Sequence, residues 1–182
     1  MSSPSADVSV RVAWADDAAS IAAVQARAWQ RQYADLLPPE ALAALDDEDL
    51  AATWHASLAR PEDARNRVLV ALERNRVVGF AVTGPAGDPD CDPVADGEVV
   101  ELDIDPGEQR LGHGSRLLQA CIDTLTADRF TRAVTWVNST DDALRSFLTS
   151  AGWAPDTAHR ELAMDEEATV TVRQVRLHTA LA

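Results

Sequence analysis

The sequence predicts a mixed α/β (α+β) fold, a single largely antiparallel sheet of about seven strands flanked by helices. Two observations carry that reading. The elements run strand, two or three helices, a block of three strands, helix, strand, helix, then two strands, which is not the regular strand–helix alternation of a doubly wound fold. The central block also contains a tight hairpin, the mark of antiparallel neighbours. A chain of 182 residues suits one domain, expected over residues 8–179, behind a small, polar tail at residues 1–7 that reads as disordered.

Each element has its own signal. Val8, Val10 and Val12 alternate with polar residues as a first strand, and Trp14 continues that face. Asp16 and Asp17 open a helix that runs to about Tyr33, with Ile21, Val24 and Ala28 on its buried side. Pro38 and Pro39 suit the first turn of a second helix, and Asp46 or Asp47 caps a third that carries Leu50, Trp54 and Leu58 and closes at Pro61. Residues 67–73 and 76–83 are apolar and β-branched on either side of Arg74 and Asn75, a hairpin in which Asn75 can take positive φ. Residues 84–97, rich in Gly, Pro and Asp, read as a mobile surface loop. A strand over 98–105 stops at Pro106, and a helix from about Gly112 to Asp128 buries Leu117, Leu118, Cys121, Ile122 and Leu125. A strand over 131–137, a helix capped by Thr140 or Asp141 and ended at Gly152, and strands at 161–164 and 169–178 complete the chain.

Composition narrows the chemistry. Thirty acidic residues against sixteen basic ones leave a net charge of −14, and every basic residue apart from histidine is arginine. Without lysine there is no Schiff-base chemistry, no pyridoxal-phosphate anchor and no Walker-type phosphate loop. The negative balance argues against non-specific binding of nucleic acid or anionic membrane. Cys91 and Cys121 match no zinc spacing and are too few for a disulfide framework, so a reducing, cytoplasmic setting is expected. No apolar run has membrane-spanning length, and the first residues lack the zones of a signal peptide.

The informative stretch is Glu98 to Leu118. A strand feeds a Pro-Gly turn and then Gln109-Arg110-Leu111-Gly112-His113-Gly114-Ser115-Arg116, which opens a helix. Backbone N–H groups of a first helical turn have no partner within the helix and make an anion site, and Gly112 and Gly114 keep side chains away from it. The same glycines also suit a plain tight strand–helix connection. A dinucleotide fingerprint is ruled out by Leu117 where its third glycine belongs.

Gln109-x-x-Gly112-x-Gly114, preceded by Leu102-x-Ile104-x-Pro106 and followed by Leu117-Leu118, resembles motif A of the GNAT superfamily of acetyl-CoA-dependent N-acetyltransferases. Ala143 to Trp153, with Phe147 and Gly152, is similar to the family's second motif, and the element order matches over nearly the whole chain. The resemblance implies a fourth strand that splays from the fifth, with acetyl-CoA as cosubstrate in the gap. It implies that the pantetheine arm pairs with the backbone of Leu102, Asp103 and Ile104. The pyrophosphate would rest on Gln109, Arg110, Leu111, Gly112, His113, Gly114 and Ser115, with Arg116 as a further phosphate candidate. The reaction it implies is direct attack of an amine on the thioester in a ternary complex, with the oxyanion held by a backbone N–H of the fourth strand.

This chain departs from the family pattern at the acid and at the base. The tyrosine often used as acid is Leu148, and the asparagine seven positions earlier aligns with Asp141, which the resemblance makes a cofactor-binding candidate and which serves equally as a helix cap. Where some members keep a glutamate on the fifth strand, this chain has Trp136. The remaining base candidates are Glu98, eleven residues before Gln109, and Glu101 in the opposite alternation; either also reads as a strand-end carboxylate. Tyr33, the only tyrosine, is a stand-in acid or an acceptor-site wall, and Trp29 and Trp54 are further wall candidates that also read as core, like the remaining tryptophans. The four histidines show no metal-ligand spacing, so no metal is expected. The expected partner is an amine acceptor, small molecule or peptide, with no nucleic acid or membrane, and the enzyme a monomer or homodimer. The rival readings are a catalytically weak acyl-CoA-binding or regulatory module of the same fold, and an interaction module without cofactor.

Overall fold

The computed structural model describes residues 7–45 and 47–182. In chain order its elements are β1 (Val8–Val12), a 3-10 turn (Ala15–Asp17), α1 (Ala18–Gln32), α2 (Pro39–Ala43), α3 (Asp47–Ala59), β2 (Arg67–Glu73), β3 (Arg76–Pro85), β4 (Asp96–Ile104), a second 3-10 turn (Pro106–Glu108), α4 (His113–Ala127), β5 (Arg132–Asn138), α5 (Asp142–Ser150), β6 (Ala154–Ala163) and β7 (Thr171–Ala180). The strands form one seven-stranded sheet in the order β1-β2-β3-β4-β5-β7-β6. Pairing is antiparallel for β1–β2, β2–β3, β5–β7 and β6–β7. β4 and β5 are parallel, with a ladder of three pairs from Asp96–Arg132 to Glu98–Val134. The mixed, largely antiparallel sheet expected from the element order is present. The chain divides into two compact units: the chain up to Thr83 with Glu101–Thr124, and Gly84–Val100 with Leu125–Ala182. Of the expected tail at residues 1–7, residues 1–6 lie outside the described residues, as do Asp46 and the side chain of Asp47, the two expected caps of α3.

The first unit is built on Ile21 and Val24 of α1, Val70 and Leu72 of β2, and Val77 and Phe80 of β3, with Trp54 of α3 edge-on to Phe80 at 5.2 Å. Trp14 corrects one expectation: it is 63% exposed, because the chain turns into the 3-10 helix there and the alternation of β1 ends. Its ring is covered by the Arg11 guanidinium, 3.8 Å from the centroid. Asp17 organises that turn, accepting from the Trp14 N–H at 2.7 Å and from Arg11. The β2–β3 turn takes positive φ at both central residues, Arg74 (48°) and Asn75 (66°), the geometry that matches strand twist. Gly79 is required by a close approach: a β-carbon there would lie 2.5 Å from Ile104 Cδ1 and 2.9 Å from the Asp103 carbonyl.

In the second unit the connection between β3 and β4 is shorter than expected, residues 86–95, and it is bonded throughout rather than loose. Ala86 N–H donates to the Asp96 carbonyl at 2.9 Å, Asp92 N–H to the Asp96 carboxylate, and Arg176 of β7 donates to Asp88 and Asp90. Gly97 is needed because a β-carbon would press on Leu125 Cδ2 at 2.7 Å and on the Phe130 ring at 2.9 Å. Asp141 caps α5 by accepting from Leu144 N–H at 3.0 Å, and the helix stops at Gly152 with φ +93°. β6 and β7 are longer than their apolar cores suggest. β6 carries a register shift between Pro155 and His159, with Thr157 at φ 74°, which breaks the alternation that marks a strand in sequence.

Candidate active site

The glycine-bearing segment lies wholly in the first unit. β4 ends at Ile104, and Asp105 closes it by accepting from Gly107 N–H at 3.2 Å and from Arg27 at 2.6 Å. The chain then passes through Arg110 (φ 63°) and Gly112 (φ 85°), both left-handed. Gly112 fits that conformation at no steric cost, and the Arg116 guanidinium folds over it, 3.3 Å from where a β-carbon would stand. The first bond into α4 runs from Arg116 N–H to the Gly112 carbonyl, so the N–H groups of His113, Gly114 and Ser115 precede the helical ladder. Gly112, Ser115, Arg116, Arg110 and Leu111 are exposed. The arrangement fits a phosphate-bearing ligand: free donors, a positive helix end, two arginines and no acidic side chain between Arg110 and Arg116.

His113, expected among the loop residues under the pyrophosphate, turns its side chain away from that surface. Its ring is 3% exposed, and Nε2 lies 3.5 Å from Glu73 at the end of β2. Arg76 supplies the cation beside it, paired with Glu108 and 4.0 Å from Glu73. The backbone of His113 therefore faces the loop while its imidazole packs under it.

On β4, side chains two residues apart share a face, so Glu101 and Asp103 stand together and Leu102 and Ile104 point the other way. Glu101 is held by α1. Gln25 Nε2 donates to both its oxygens, at 2.9 and 3.2 Å, and Trp29 Nε1 donates to one at 3.1 Å. Gln25 is in turn fixed by Trp54 Nε1 at 2.9 Å. Asp103 also contacts Glu101 and Trp29. Its Oδ2 is buried with no hydrogen-bond partner. Burial first, and the Glu101 charge second, push the Asp103 carboxyl far above the ordinary range. Tyr33, at the C-terminus of α1, stands edge-on to Trp29 at 6.3 Å. Gln25, Trp29 and Tyr33 recur at four-residue spacing, one stripe of α1. The structure thus joins four of the expected residues, Glu101, Trp29, Tyr33 and, through Gln25, Trp54, and adds Asp103 as a side chain and Gln25. The period-two Glu101-x-Asp103 pattern and the Gln25–Trp29–Tyr33 stripe were the available signals.

The other expected residues lie in the second unit. Glu98 receives a long contact from Gly87 N–H at 3.4 Å, and burial raises its carboxyl above the ordinary range against the lowering from that N–H. Trp136 donates to Asp88 at 2.9 Å and is covered by the Arg160 guanidinium at 4.3 Å. The Asp141 carboxylate is taken up by the α5 cap. Leu148 is 3% exposed, a core side chain.

Comparison with known proteins agrees with this geometry. The model of the family described as the acetyltransferase (GNAT) family matches residues 23–153. No curated protein matches the chain. Among solved structures, yncA of Salmonella typhimurium with its cofactor acetyl-CoA superposes with a TM-score of 0.71 at 20% identity, covering 96% of this chain and 94% of that one. The paia N-acetyltransferase of Thermoplasma acidophilum in complex with coenzyme A gives 0.66 at 13% identity, covering 95% and 98%. The ribosomal-protein-alanine N-acetyltransferase of Brucella melitensis gives 0.72 at 17% identity, covering 95% and 99%. Strand order, the β4–α4 loop and the family match over most of the chain agree, and the chain belongs to the GNAT acetyltransferase family.

Proposed function

We propose that residues 8–179 form one N-acetyltransferase domain that moves the acetyl group of acetyl-CoA onto an amine of a small molecule or peptide. The observation that carries this reading is the β4 segment itself. Within one unit it joins a carboxylate held by neutral donors, Glu101, to a loop in which the N–H groups of His113, Gly114 and Ser115 precede the α4 ladder. Solved neighbours of this fold hold acetyl-CoA or coenzyme A. The loop would hold the pyrophosphate, with Arg110 and Arg116 beside it, and the backbone of Leu102–Ile104 the pantetheine arm.

The bound thioester supplies the acyl group, and the chain supplies position, a base and a donor for the oxyanion. Most amines arrive protonated, so a proton must leave before nitrogen can attack. Glu101, fixed by Gln25 and Trp29, is the base in this reading, and Glu98 serves the other alternation of the strand. A β4 backbone N–H stabilises the oxyanion, and Trp29 and Tyr33 wall the acceptor. No helix among the described residues is long and apolar enough to cross a membrane. Cys91 and Cys121 are both free, which suits a cytoplasmic enzyme.

Thermal unfolding with acetyl-CoA tests the cofactor. Saturation at about a hundred times Kd adds about 2.7 kcal/mol to stability. Gly112→Glu should abolish that shift while the unliganded protein still unfolds cooperatively. No shift at millimolar acetyl-CoA removes the reading. Thiol release across a panel of amines then tests the transfer. The buried Leu148 favours a second reading, a binder that catalyses little, and a full thermal shift without thiol release for any amine would select it.

A further inference from the structure

We propose that Glu101 and Asp103 act as one carboxyl pair sharing a single proton, in which Glu101 meets the acceptor's ammonium group and Asp103 is the residue that positions it. The inference rests on the acetyltransferase reading for what binds, but the pairing stands on the side chains alone.

Four observations lead to it. The two carboxyls occupy adjacent positions of one strand face and are in contact. Among the described residues, no arginine reaches either of them. Their described partners are the neutral groups of Gln25 and Trp29, with Trp54 acting through Gln25, whereas Asp17 and Asp105 in the same unit each meet an arginine. Two touching carboxylates without a cation do not both ionise. The proton then belongs on Asp103. Glu101 already accepts from Gln25 and Trp29, while Asp103 Oδ2 is buried without a donor, a loss tolerable for the carbonyl of an acid and costly for a carboxylate. Among the described residues Glu101 is the one charged group acting on Asp103, and α1 faces it with Trp29.

Asp103 then donates its proton to Glu101 and completes a cradle with Gln25 and Trp29. The pair carries one negative charge, which matches one ammonium. When the acceptor binds, one N–H proton of the ammonium passes to a Glu101 oxygen and frees the nitrogen lone pair. The carbon–nitrogen bond forms as the carbon–sulfur bond of the thioester breaks, and the second proton lost from nitrogen ends on the departing thiolate. Asp103 keeps its proton throughout, and the pair passes from one negative charge to none. Asp103 is therefore a positioning residue, and the acceptor class is an amine presented as a monocation at this face.

Two measurements test the pair. Carboxyl-selective infrared or carbon-13 spectroscopy of the full chain, without ligand, should show a protonated carboxyl in neutral buffer that is absent in Asp103→Asn. In Glu101→Gln it should lose its proton at lower pH. A wild type without that signal, or a signal that survives in Asp103→Asn, overturns the proposal. Thiol release from acetyl-CoA with n-butylamine as probe gives the second readout. Asp103→Asn keeps a donor and should retain kcat/KM within about twofold. Asp103→Ala should lower it by about tenfold or more, the worth of a hydrogen bond to a charged group. Equal rates for wild type and Asp103→Ala overturn the positioning role. A protonated carboxyl in an enzyme that releases no thiol would instead strike the acetyltransferase reading and leave the pair intact.

Discussion

Replacing Arg176 by methionine should be the most damaging single change in the second unit. The guanidinium is 5% exposed and donates from Nε to Asp156 at 2.7 Å, from Nη1 to Asp88 and Asp90 at 3.1 and 2.8 Å, and from Nη2 to Asp90 at 2.6 Å. It joins the 86–95 segment, β6 and β7. Methionine fills much of the volume but leaves Asp156 and Asp88, both largely buried, short of their cation. Stranding buried charges costs about 3–5 kcal/mol. The lower end applies here, because Asp156 keeps Arg132 at 2.8 Å and Asp88 keeps Trp136 Nε1 at 2.9 Å. At about 2–4 °C per kcal/mol for a chain of this size, Tm falls by about 10 °C. Urea unfolding and thermal scans measure both quantities. The pH dependence carries a sign. Arg176 holds the Asp90 carboxyl down at about 2, from an ordinary value of 3.8. A depressed acid contributes stability above its unfolded value and loses it as pH falls through the folded one. The difference between wild type and Arg176→Met should therefore shrink as pH drops from about 4 toward about 2. A variant within about 1 kcal/mol of wild type at neutral pH, or a gap that stays constant into acid, would refute the reasoning.

Two further changes separate local causes. Gly79→Ala puts a β-carbon against Ile104 and the Asp103 carbonyl, and should cost about 1–3 kcal/mol in chemical denaturation. Because the clash falls on the β4 backbone, acetyl-CoA affinity measured by calorimetry should fall with it. Asp141→Ala removes the α5 cap and should cost about 1 kcal/mol in the same denaturation assay, while Asp141→Asn, which keeps an accepting oxygen, should lie close to wild type.

What could be read from the sequence was local. The Arg74-Asn75 turn, the glycine that opens α4 and the cap at Asp141 depend on a few adjacent residues, and each stands where its spacing puts it. What escaped depends on distant chain. Gln25 and Trp29 are more than seventy residues from Glu101, so nothing in the strand foretold its donors. Asp103 read as backbone only, because its side-chain environment is made by α1. The burial of the His113 ring was not legible in the loop, since its neighbour Glu73 is forty residues away. The 86–95 segment has the composition of a loose loop, yet Arg176, near the end of the chain, bonds it in place. Trp136 and Arg176, far along the chain, are partners that its composition could not show.

The acid surplus gives these particulars a common logic. A net charge of −14 leaves many carboxylates to be housed, and the buried ones are mostly housed by arginine: Asp17 by Arg11, Asp105 by Arg27, Asp96 by Arg132, and Asp156 by Arg132 and Arg176. Arginine suits that task because it stays charged and forks onto two oxygens. Glu101 and Asp103 are treated differently. They meet each other and neutral donors, an arrangement that costs stability and that pairing with one arginine would relieve. A chain that pairs most of its buried acids with arginine, yet gives this pair only neutral donors, suits the proposal that the pair meets a cation brought by the acceptor. The pair lies on the same strand that leads into the loop proposed to hold the pyrophosphate, which is where an ammonium group awaiting acylation would be needed.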